Sequence, residues 1–336
     1  MKYFKKLVII ILIVCLTGCN SKNSAVRSYH VYTAYPIGYL LERIGGNRIM
    51  ISSIQNSAHI QNATLVDDYE NILDNALYFY YIKGLEPYLD LYGDDIDESL
   101  VNEVDLSTSS IYAFKRYTPV KVGGTLSYVE SDYYSGSAFD DIDTYTNDLY
   151  LWLNPIGMLS MAKQIYNNLT ANYAEQSSYF TDNYQELEND LISLDAAYQN
   201  LATSLQNEGK TIKFVSLTPS FTSWQKAYGI EVYPVCLSKY GALPTDSQLE
   251  IIKQRIIDDG VEYIVYEPNM SDEMMSLFSS LESELGLKRV NLSNISSLTV
   301  TQQSDNKDYL TIMYENLAVL ENIAISIDEE DTGTEQ

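Results

Sequence analysis

One long amphipathic segment in the middle of the chain, residues 179–206, constrains the fold most strongly. Its apolar residues recur at steps of three or four, as on one face of an α-helix; they are Leu187, Leu191, Leu194, Tyr198 and Leu201. Gly209 follows, and glycine is a common residue after a helix end because it tolerates the left-handed backbone conformation. The segment therefore predicts a single long helix with a large part of the chain on either side.

On both sides of this helix, short apolar runs alternate with helical patterns. Before it, strands are predicted at 28–33, 48–54 and 77–82, with helices at 36–44 and 65–76. After it, strands are predicted at 213–217, 231–236, 263–266 and 289–292, with helices at 220–228, 246–259, 272–285 and 307–327. This alternation is typical of parallel sheets covered by helices. The predicted fold class is α/β, with two lobes of mostly parallel β-sheet flanked by helices and joined by one long backbone helix.

The N-terminus has the pattern of a bacterial export signal. Lys2, Lys5 and Lys6 give a basic start, residues 7–16 are apolar, and Leu-Thr-Gly-Cys follows and ends at Cys19. The apolar run is too short for a stable membrane-spanning helix. Leu-Thr-Gly-Cys resembles the lipobox, in which the cysteine thiol is acylated and becomes the new N-terminus. We therefore predict lipidation at Cys19 and an extracytoplasmic protein that is lipid-anchored to the bacterial cell membrane.

These patterns divide the chain into six parts. They are a lipoprotein signal peptide at 1–18, a flexible tether at 19–27, an N-terminal α/β lobe at 28–178, the linking helix at 179–206, a C-terminal α/β lobe at 207–327 and an acidic tail at 328–336. The tether is small and polar, as expected of a flexible linker. The length without the signal is enough for two lobes with hydrophobic cores.

Composition excludes several classes of function. The 46 acidic and 21 basic side chains give a net charge of −25, and loss of the three signal lysines takes it to −28. Such a surface repels nucleic acid, so no nucleic-acid partner is predicted. Cys236 is the one cysteine beyond the signal and Cys19, so neither a disulfide framework nor a cysteine zinc site is predicted. The sequence lacks nucleophile-elbow and phosphate-loop motifs, and no enzyme is predicted.

Residues 127–148 interrupt the strand–helix pattern. The segment is rich in Asp, Tyr and Gly and has no clear periodicity. A stretch of about twenty residues without periodicity is long for a compact domain and is usually functional or mobile. Two interpretations stay open: a solvated loop, or a loose group of carboxylates that gathers cations.

A series of short motifs runs in order through residues 28–327. They are Ile-Gly-Gly-Asn at 44–47, Ala-His-Ile-Gln-Asn-Ala-Thr at 58–64, Gly-Leu-Glu-Pro-Tyr-Leu at 84–89, Asp-Leu-Tyr-Leu-Trp-Leu-Asn-Pro at 148–155, the strand–helix at 214–229, Tyr-Glu-Pro at 266–268 and the helix at 309–320. Each motif is weak alone. Together, and behind a lipobox, they resemble the zinc- and manganese-binding solute receptors of bacterial ABC importers. That resemblance implies two lobes rigidly linked by a long helix, in agreement with the pattern above.

The resemblance also implies a metal site between the lobes. The family holds its metal with three histidines, or with two histidines and a Glu, often completed by an Asp. On these positions the chain has His59, then Tyr150 and Thr218 in place of the second and third ligands, and Ser293 by register in place of the Asp. Glu267, at a strand end in the second lobe, is a further carboxylate. His59 and Glu267 are therefore the candidate metal ligands, and the other three are candidate ligand-binding residues.

This donor set is poor for zinc, because Zn²⁺ prefers about four nitrogen, sulfur or carboxylate ligands. Neutral hydroxyls are weak ligands, and a phenol must first lose a proton with a pKa near 10. Three interpretations stay open. The cleft is an oxygen-rich site for a harder cation, completed by Asp148 or residues 127–148; or it lost metal binding and holds another small solute; or it retains zinc or manganese through other ligands.

The predicted function is a solute-binding lipoprotein of an ABC importer, of the metal-receptor type with a degenerate metal site. Its expected cargo is a divalent metal such as zinc or manganese, its expected partner is the permease of that importer, and it is expected to act as a monomer. Ligand contacts to both lobes would favour a closed state that the permease recognises. The alternatives are a surface adhesin or interaction protein, and a receptor for a non-metal solute, on the same fold.

Overall fold

The computed structural model describes residues 28–56, 59–98, 101–110, 112–123 and 125–333. The predicted signal peptide, the lipidation site Cys19 and the tether lie outside the described residues, as do residues 334–336 of the acidic tail. Within the described ranges, no helix is both long and apolar enough to cross a membrane.

The first lobe is built on a four-stranded parallel sheet with the strand order β2-β1-β3-β4. Its strands are β1 (Ser28–Tyr32), β2 (Ile49–Ser53), β3 (Tyr78–Tyr81) and β4 (Asn102–Asp105). Its helices are α1 (Tyr35–Gly45), α2 (Tyr69–Asp74) and α3 (Leu89–Glu98). Parallel strands require crossover connections, so the loops that follow the strands gather at one edge of the sheet.

Next comes a hairpin of β5 (Arg116–Val122) and β6 (Thr125–Ser131), followed by a segment that joins the two lobes. The prediction that 127–148 lacks regular structure is wrong at its start, because 127–131 belong to β6. Much of the rest of the segment is exposed, as the interpretation as a solvated loop predicts, but Tyr133 and Tyr134 are buried. Tyr133 Oη accepts a hydrogen bond from Gln225, and Tyr134 Oη donates to the carbonyl of Pro234 at 2.9 Å. The segment therefore packs against the second lobe.

Helix α4 (Pro155–Asn172) leads into α5 (Ser177–Glu208), a 32-residue helix that matches the predicted linking helix within two residues at each end. At 1.5 Å per residue α5 is about 48 Å long. It packs against α1 of the first lobe and against the last helix, α10 (Tyr309–Gly333). Gly209 ends α5 in the left-handed conformation with φ 72°. One continuous helix thus supports both lobes.

The second lobe has its own parallel sheet, with the strand order β10-β9-β7-β8. The strands are β7 (Lys213–Ser216), β8 (Glu231–Pro234), β9 (Tyr263–Tyr266) and β10 (Lys288–Asn291), and the helices are α6 (Trp224–Tyr228), α7 (Asp246–Asp258), α8 (Asp272–Leu285) and α9 (Val300–Ser304). Thr245 caps α7 in a capping box with Gln248. Helix α10 continues past residue 327, where the acidic tail was predicted to begin.

Gly157, in the first turn of α4, lies against the backbone that precedes the helix. A Cβ at this position would stand 2.5 Å from the carbonyl oxygen of Leu151, a backbone atom that cannot move aside alone. We expect Gly157→Ala to lower the free energy of unfolding by about 1 to 3 kcal/mol, measured by urea denaturation. The matched control is Gly93→Ala in α3, where the added Cβ meets no described atom within 4 Å. It should raise stability by about 0.5 to 1 kcal/mol. Equal effects of the two substitutions would contradict the clash.

Candidate functional site

Three buried side chains meet where the carboxyl edges of the two sheets face each other. His59 lies in the loop after β2, at the start of a single 3₁₀ turn, Ile60–Asn62. Glu267 follows β9 directly, and Asn294 lies in the loop after β10. Their exposed fractions are 0%, 0% and 2%. Because each residue follows a strand of a parallel sheet, the topology carries all three to the space between the lobes.

The Glu267 carboxylate is surrounded by hydrogen-bond donors. Its Oε1 accepts from Ser216 Oγ at 3.0 Å and from the Thr218 backbone N–H at 3.2 Å. Its Oε2 accepts from Thr218 Oγ1 at 2.6 Å, from Asn294 Nδ2 at 2.8 Å and from Ser220 Oγ at 3.3 Å. Burial disfavours the charged form of this carboxylate, but the five donors above stabilise it. Glu267 is therefore an ionised carboxylate at neutral pH.

Asn294 connects this carboxylate with the histidine of the first lobe. Its Nδ2 lies 2.6 Å from His59 Nε2, while the His59 Nε2 to Glu267 Oε2 distance is 3.7 Å. Its Oδ1 accepts from Ser296 N at 3.1 Å and from Ser296 Oγ at 2.8 Å, which turns the NH₂ group towards His59. An amide NH₂ only donates, so His59 Nε2 accepts and the neutral imidazole carries its proton on Nδ1. That Nδ1 is buried without a hydrogen-bond partner among the described residues.

Two of the residues predicted from the resemblance, Thr218 and Tyr150, lie at this cluster. Thr218 donates its hydroxyl hydrogen to Glu267, as described above. Tyr150 is 1% exposed, and its Oη finds no hydrogen-bond partner among the described residues. Burial, together with the nearby carboxylate of Glu267, raises the pKa of Tyr150 well above its usual value, so Tyr150 is a neutral phenol. Neither side chain offers a strong metal ligand in this state.

The third of these residues, Ser293, turns away from the cluster. Its hydroxyl accepts from the Ile295 N–H at 3.3 Å, and its backbone N–H and C=O bond to the Asn316 side chain of α10. The neighbouring Asn294 enters the cleft in its place. A shift of one residue in a loop changes which side chain faces inward, and the sequence register left that uncertainty open.

Asp148, two residues before Tyr150, was a candidate to complete the site, but its carboxylate already has hydrogen-bond partners. Its Oδ2 accepts from Thr222 Oγ1 at 2.7 Å, and its Oδ1 accepts from the Tyr150 N–H at 3.1 Å. Burial raises the pKa of Asp148 to about 6, against the lowering effect of these hydrogen bonds. Asp148 therefore ties the segment 127–148 to the second lobe.

As they stand, these residues do not fit a four-ligand zinc site. Nowhere in the described part of the chain do three or more His, Cys, Asp or Glu side chains group to hold a metal ion. Zinc binds imidazole nitrogen and carboxylate oxygen at about 2.0 to 2.2 Å. The 3.7 Å between His59 Nε2 and Glu267 Oε2 would suit two ligands of one cation. The nitrogen of Asn294 lies within 2.8 Å of both atoms.

The lobes are closed over the cluster. Trp152 Nε1, from the first lobe, donates to the Asn294 carbonyl at 2.7 Å, and Tyr309 Oη of α10 donates to the Trp152 carbonyl at 2.6 Å. Gln61, two residues after His59, donates to the Ser238 carbonyl at 2.7 Å. These bonds cross between the lobes and seal the cleft from solvent.

Sequence reasoning missed three members of the cluster: Asn294, Ser216 and Ser220. The last two lie in the run Ser-Leu-Thr-Pro-Ser that ends β7 and follows it. Polar residues directly after a buried parallel strand are a signal for a site at the carboxyl edge, because ligands of α/β folds bind there. No comparable signal marks Asn294.

Comparison with known proteins agrees with this architecture. The family model described as ZnuA, zinc-uptake complex component A, periplasmic, matches residues 31–323. The zinc-binding lipoprotein AdcA of Streptococcus pneumoniae is 22% identical over 327 residues, covering 94% of this chain. The match covers 60% of that relative, so this chain spans well under its full length.

Solved structures of low sequence identity share the fold. The periplasmic zinc-binding protein TroA of Treponema pallidum aligns with a TM-score of 0.66 at 16% identity, covering 87% of this chain and 97% of that one. The laminin-binding protein Lmb of Streptococcus agalactiae, described as bifunctional with adhesin and metal-transporting activity, gives 0.66 at 19%, covering 87% and 98%. These matches confirm the predicted two-lobed fold. Since the family model spans nearly all the described residues, the chain belongs to the ZnuA family of zinc-uptake components.

Proposed function

We propose that this chain is the extracytoplasmic solute-binding component of an ABC importer of the metal-uptake type, with a degenerate metal site. One observation carries the proposal: in a chain that the zinc-uptake family model matches over residues 31–323, His59 and Glu267 converge from opposite lobes. A solute-binding role also agrees with the absence of enzyme motifs from the sequence. The proposed cargo is a divalent cation held weakly between the lobes.

The two converging groups have suitable charge states for such a cargo. His59 Nε2 presents the lone pair of a neutral imidazole, and Glu267 is an ionised carboxylate. Thr218 and Tyr150 add only neutral hydroxyls, so we expect weaker binding than a site with four strong ligands provides. Contacts from both lobes to one ion would stabilise the closed state, and the continuous helix α5 keeps the motion small.

The proposal also covers how the protein is attached to the membrane and which protein it binds. Acylation at Cys19 would hold the protein on the outer face of the cell membrane, and residues 19–27 would give it reach towards the permease. The net charge of −25 raises the local concentration of cations around the protein. We propose that it works as a monomer and that the permease of the importer is its partner.

Metal binding tests the proposed cargo directly. The chain from Asn20 onward, made without a histidine tag, would be assayed for bound elements by plasma mass spectrometry and titrated with Zn²⁺, Mn²⁺ and Fe³⁺ by calorimetry. We expect one divalent cation per chain with a Kd of about 1 μM. His59→Ala should weaken binding at least as much as loss of an outer-shell partner does in metal sites, about 10- to 100-fold.

Glu86→Gln is the matched control, because Glu86 is a buried carboxylate of the first lobe that bonds to Thr33 rather than to the cluster. It should leave the Kd unchanged. Unchanged affinity in His59→Ala would exclude His59 as a ligand. Salt-sensitive binding without a stoichiometry of one cation per native chain would overturn the metal cargo and direct the search to organic solutes or a protein partner, including the adhesin alternative.

A further inference from the structure

The amide nitrogen of Asn294 lies in the space that a cation shared by His59 and Glu267 would need. It is 2.6 Å from His59 Nε2 and 2.8 Å from Glu267 Oε2, and those two atoms are 3.7 Å apart. A gap of that size holds a single atom. Each of the two amide hydrogens can point at one acceptor, the imidazole lone pair and the carboxylate oxygen. The amide therefore makes the same two connections that a bound cation would make.

The orientation of the amide is held by neighbouring groups. Asn294 Oδ1 accepts two hydrogen bonds from Ser296, and rotating the amide by a half turn would break both and set an oxygen against the carboxylate. The Asn294 carbonyl is bound by Trp152 Nε1. The hydrogen bonds of the side chain and of the backbone thus stabilise the same arrangement of Asn294, in which the NH₂ group faces the cleft.

We propose that Asn294 is an internal substitute for the cargo: it closes the two lobes on each other without a metal, and a cation binds only by displacing it. The part of this inference that names a cation as the cargo rests on the proposed function. The part that assigns closure of the lobes to Asn294 does not depend on it. It makes Asn294 the residue that sets the metal affinity of the cleft. The amide is neutral and does not balance the charge of Glu267. That carboxylate is stabilised instead by hydrogen bonds from the surrounding hydroxyls.

Cys236 provides a built-in probe of closure. It is the one cysteine in the chain from Asn20 onward, it is 0% exposed, and its N–H donates to the Leu217 carbonyl at 2.9 Å beside the cluster. Its thiol lies within electrostatic reach of Glu267. We expect opening of the cleft to expose it to a thiol reagent such as DTNB. The rate of labelling in metal-free buffer reports closure without any assumption about the cargo.

Two substitutions test the proposal. Asn294→Ala removes both hydrogen bonds, and we expect Cys236 to be labelled about tenfold faster than in the native chain, since loss of two hydrogen bonds favours the open state. Asn294→Asp replaces the donor by a third ligand oxygen next to a like charge. We expect fast labelling without metal, slow labelling with Zn²⁺, and zinc affinity raised about 100-fold or more over the native chain.

Asn168→Ala is the matched control, because Asn168 accepts a hydrogen bond from Tyr80 inside the first lobe, away from the cleft. It should label at the native rate. Circular dichroism confirms that each variant is folded. Native labelling rates in folded Asn294→Ala, or no gain of zinc affinity in folded Asn294→Asp, would overturn the proposal. A native chain that binds no metal, next to an Asn294→Asp variant that does, would overturn the metal cargo and uphold the role of Asn294.

Discussion

Replacing Glu86 by Gln is expected to remove most of the loss of stability that the native protein shows as pH rises from 4.5 to 8. Glu86 is 1% exposed, and Thr33 Oγ1 donates to its Oε1, while its Oε2 has no partner among the described residues. Burial raises the pKa of Glu86 to about 8, against the lowering effect of the Thr33 hydrogen bond. The folded protein therefore holds Glu86 as a neutral acid at pH 7.

The sign follows from proton binding. Below pH 4.5 both states bind the proton, and the stabilisation is complete. Between pH 4.5 and 8 the unfolded chain has lost the proton while the folded chain keeps it, so stability falls as pH rises. A shift from 4.5 to about 8 corresponds to about 5 kcal/mol across this window. Urea denaturation at half-unit steps of pH measures it as the part of the slope that Glu86→Gln removes, while Asp148, whose pKa burial raises to about 6, contributes equally in both proteins.

Other groups do not obscure this test. Burial lowers the pKa of His30 to about 4, so His30 makes stability rise with pH between 4 and 6.5, but it does so equally in both proteins. A difference in the free energy of unfolding between the native protein and Glu86→Gln that is the same at every pH reflects only the replacement of the carboxyl group by an amide. Glu262→Gln, an exposed carboxylate of the second lobe, should keep the native slope. Parallel curves for native and Glu86→Gln would contradict the buried neutral acid.

The second large effect is expected at Trp152, which joins both lobes. Its ring is fully buried beside Tyr150, its Nε1 donates to the Asn294 carbonyl at 2.7 Å, and its own carbonyl accepts from Tyr309. Trp152→Ala should lower the free energy of unfolding by about 3 to 5 kcal/mol through the cavity it leaves. The Asn294 carbonyl, buried and unpaired, adds about 1 to 3 kcal/mol.

Urea denaturation of Trp152→Ala and Trp152→Phe separates these two contributions. The Phe variant keeps most of the packing and loses only the Nε1 hydrogen bond, so it should lose about 1 to 3 kcal/mol. Cys236 should become more reactive in both variants if the bond helps to close the lobes. A loss below about 1 kcal/mol in the Ala variant would show that the lobes close independently of this side chain.

The fold was largely predictable because its signals are local. The linking helix is marked by the periodicity from Leu187 to Leu201 and by Gly209, and most strands by short buried apolar runs. Two elements of the first lobe, α3 and β4, were missed. Helix α3 has five Asp and Glu residues among its ten, and β4 is a half-exposed edge strand, so neither shows a clear apolar pattern.

The hairpin β5–β6 was missed for a related reason. Its strands alternate Tyr, Thr, Val and charged residues with no apolar face of their own. The chain that follows buries scattered side chains, three of them tyrosines: Tyr133, Tyr134 and Tyr145. Tyr133 and Tyr134 bury their rings and use their hydroxyls across the lobes. Tyrosine is compatible with both solvent-exposed and buried positions, so composition alone does not show which tyrosines are buried.

The sequence by itself determined the fold class and the family resemblance, and it proposed His59 and Glu267 as candidate ligands of a cation. The fold class follows from periodicity, and the candidate role of the two residues follows from the family resemblance and from the position of Glu267 at a strand end. Only the tertiary structure decided that Asn294, not Ser293, faces them and occupies the space between. Loops after parallel strands have no periodic register, so the inward side chain is set by long-range contacts: the Trp152 bond to the Asn294 backbone and the Asn316 bonds to Ser293. Those partners lie far away in sequence, and folding alone brings them together.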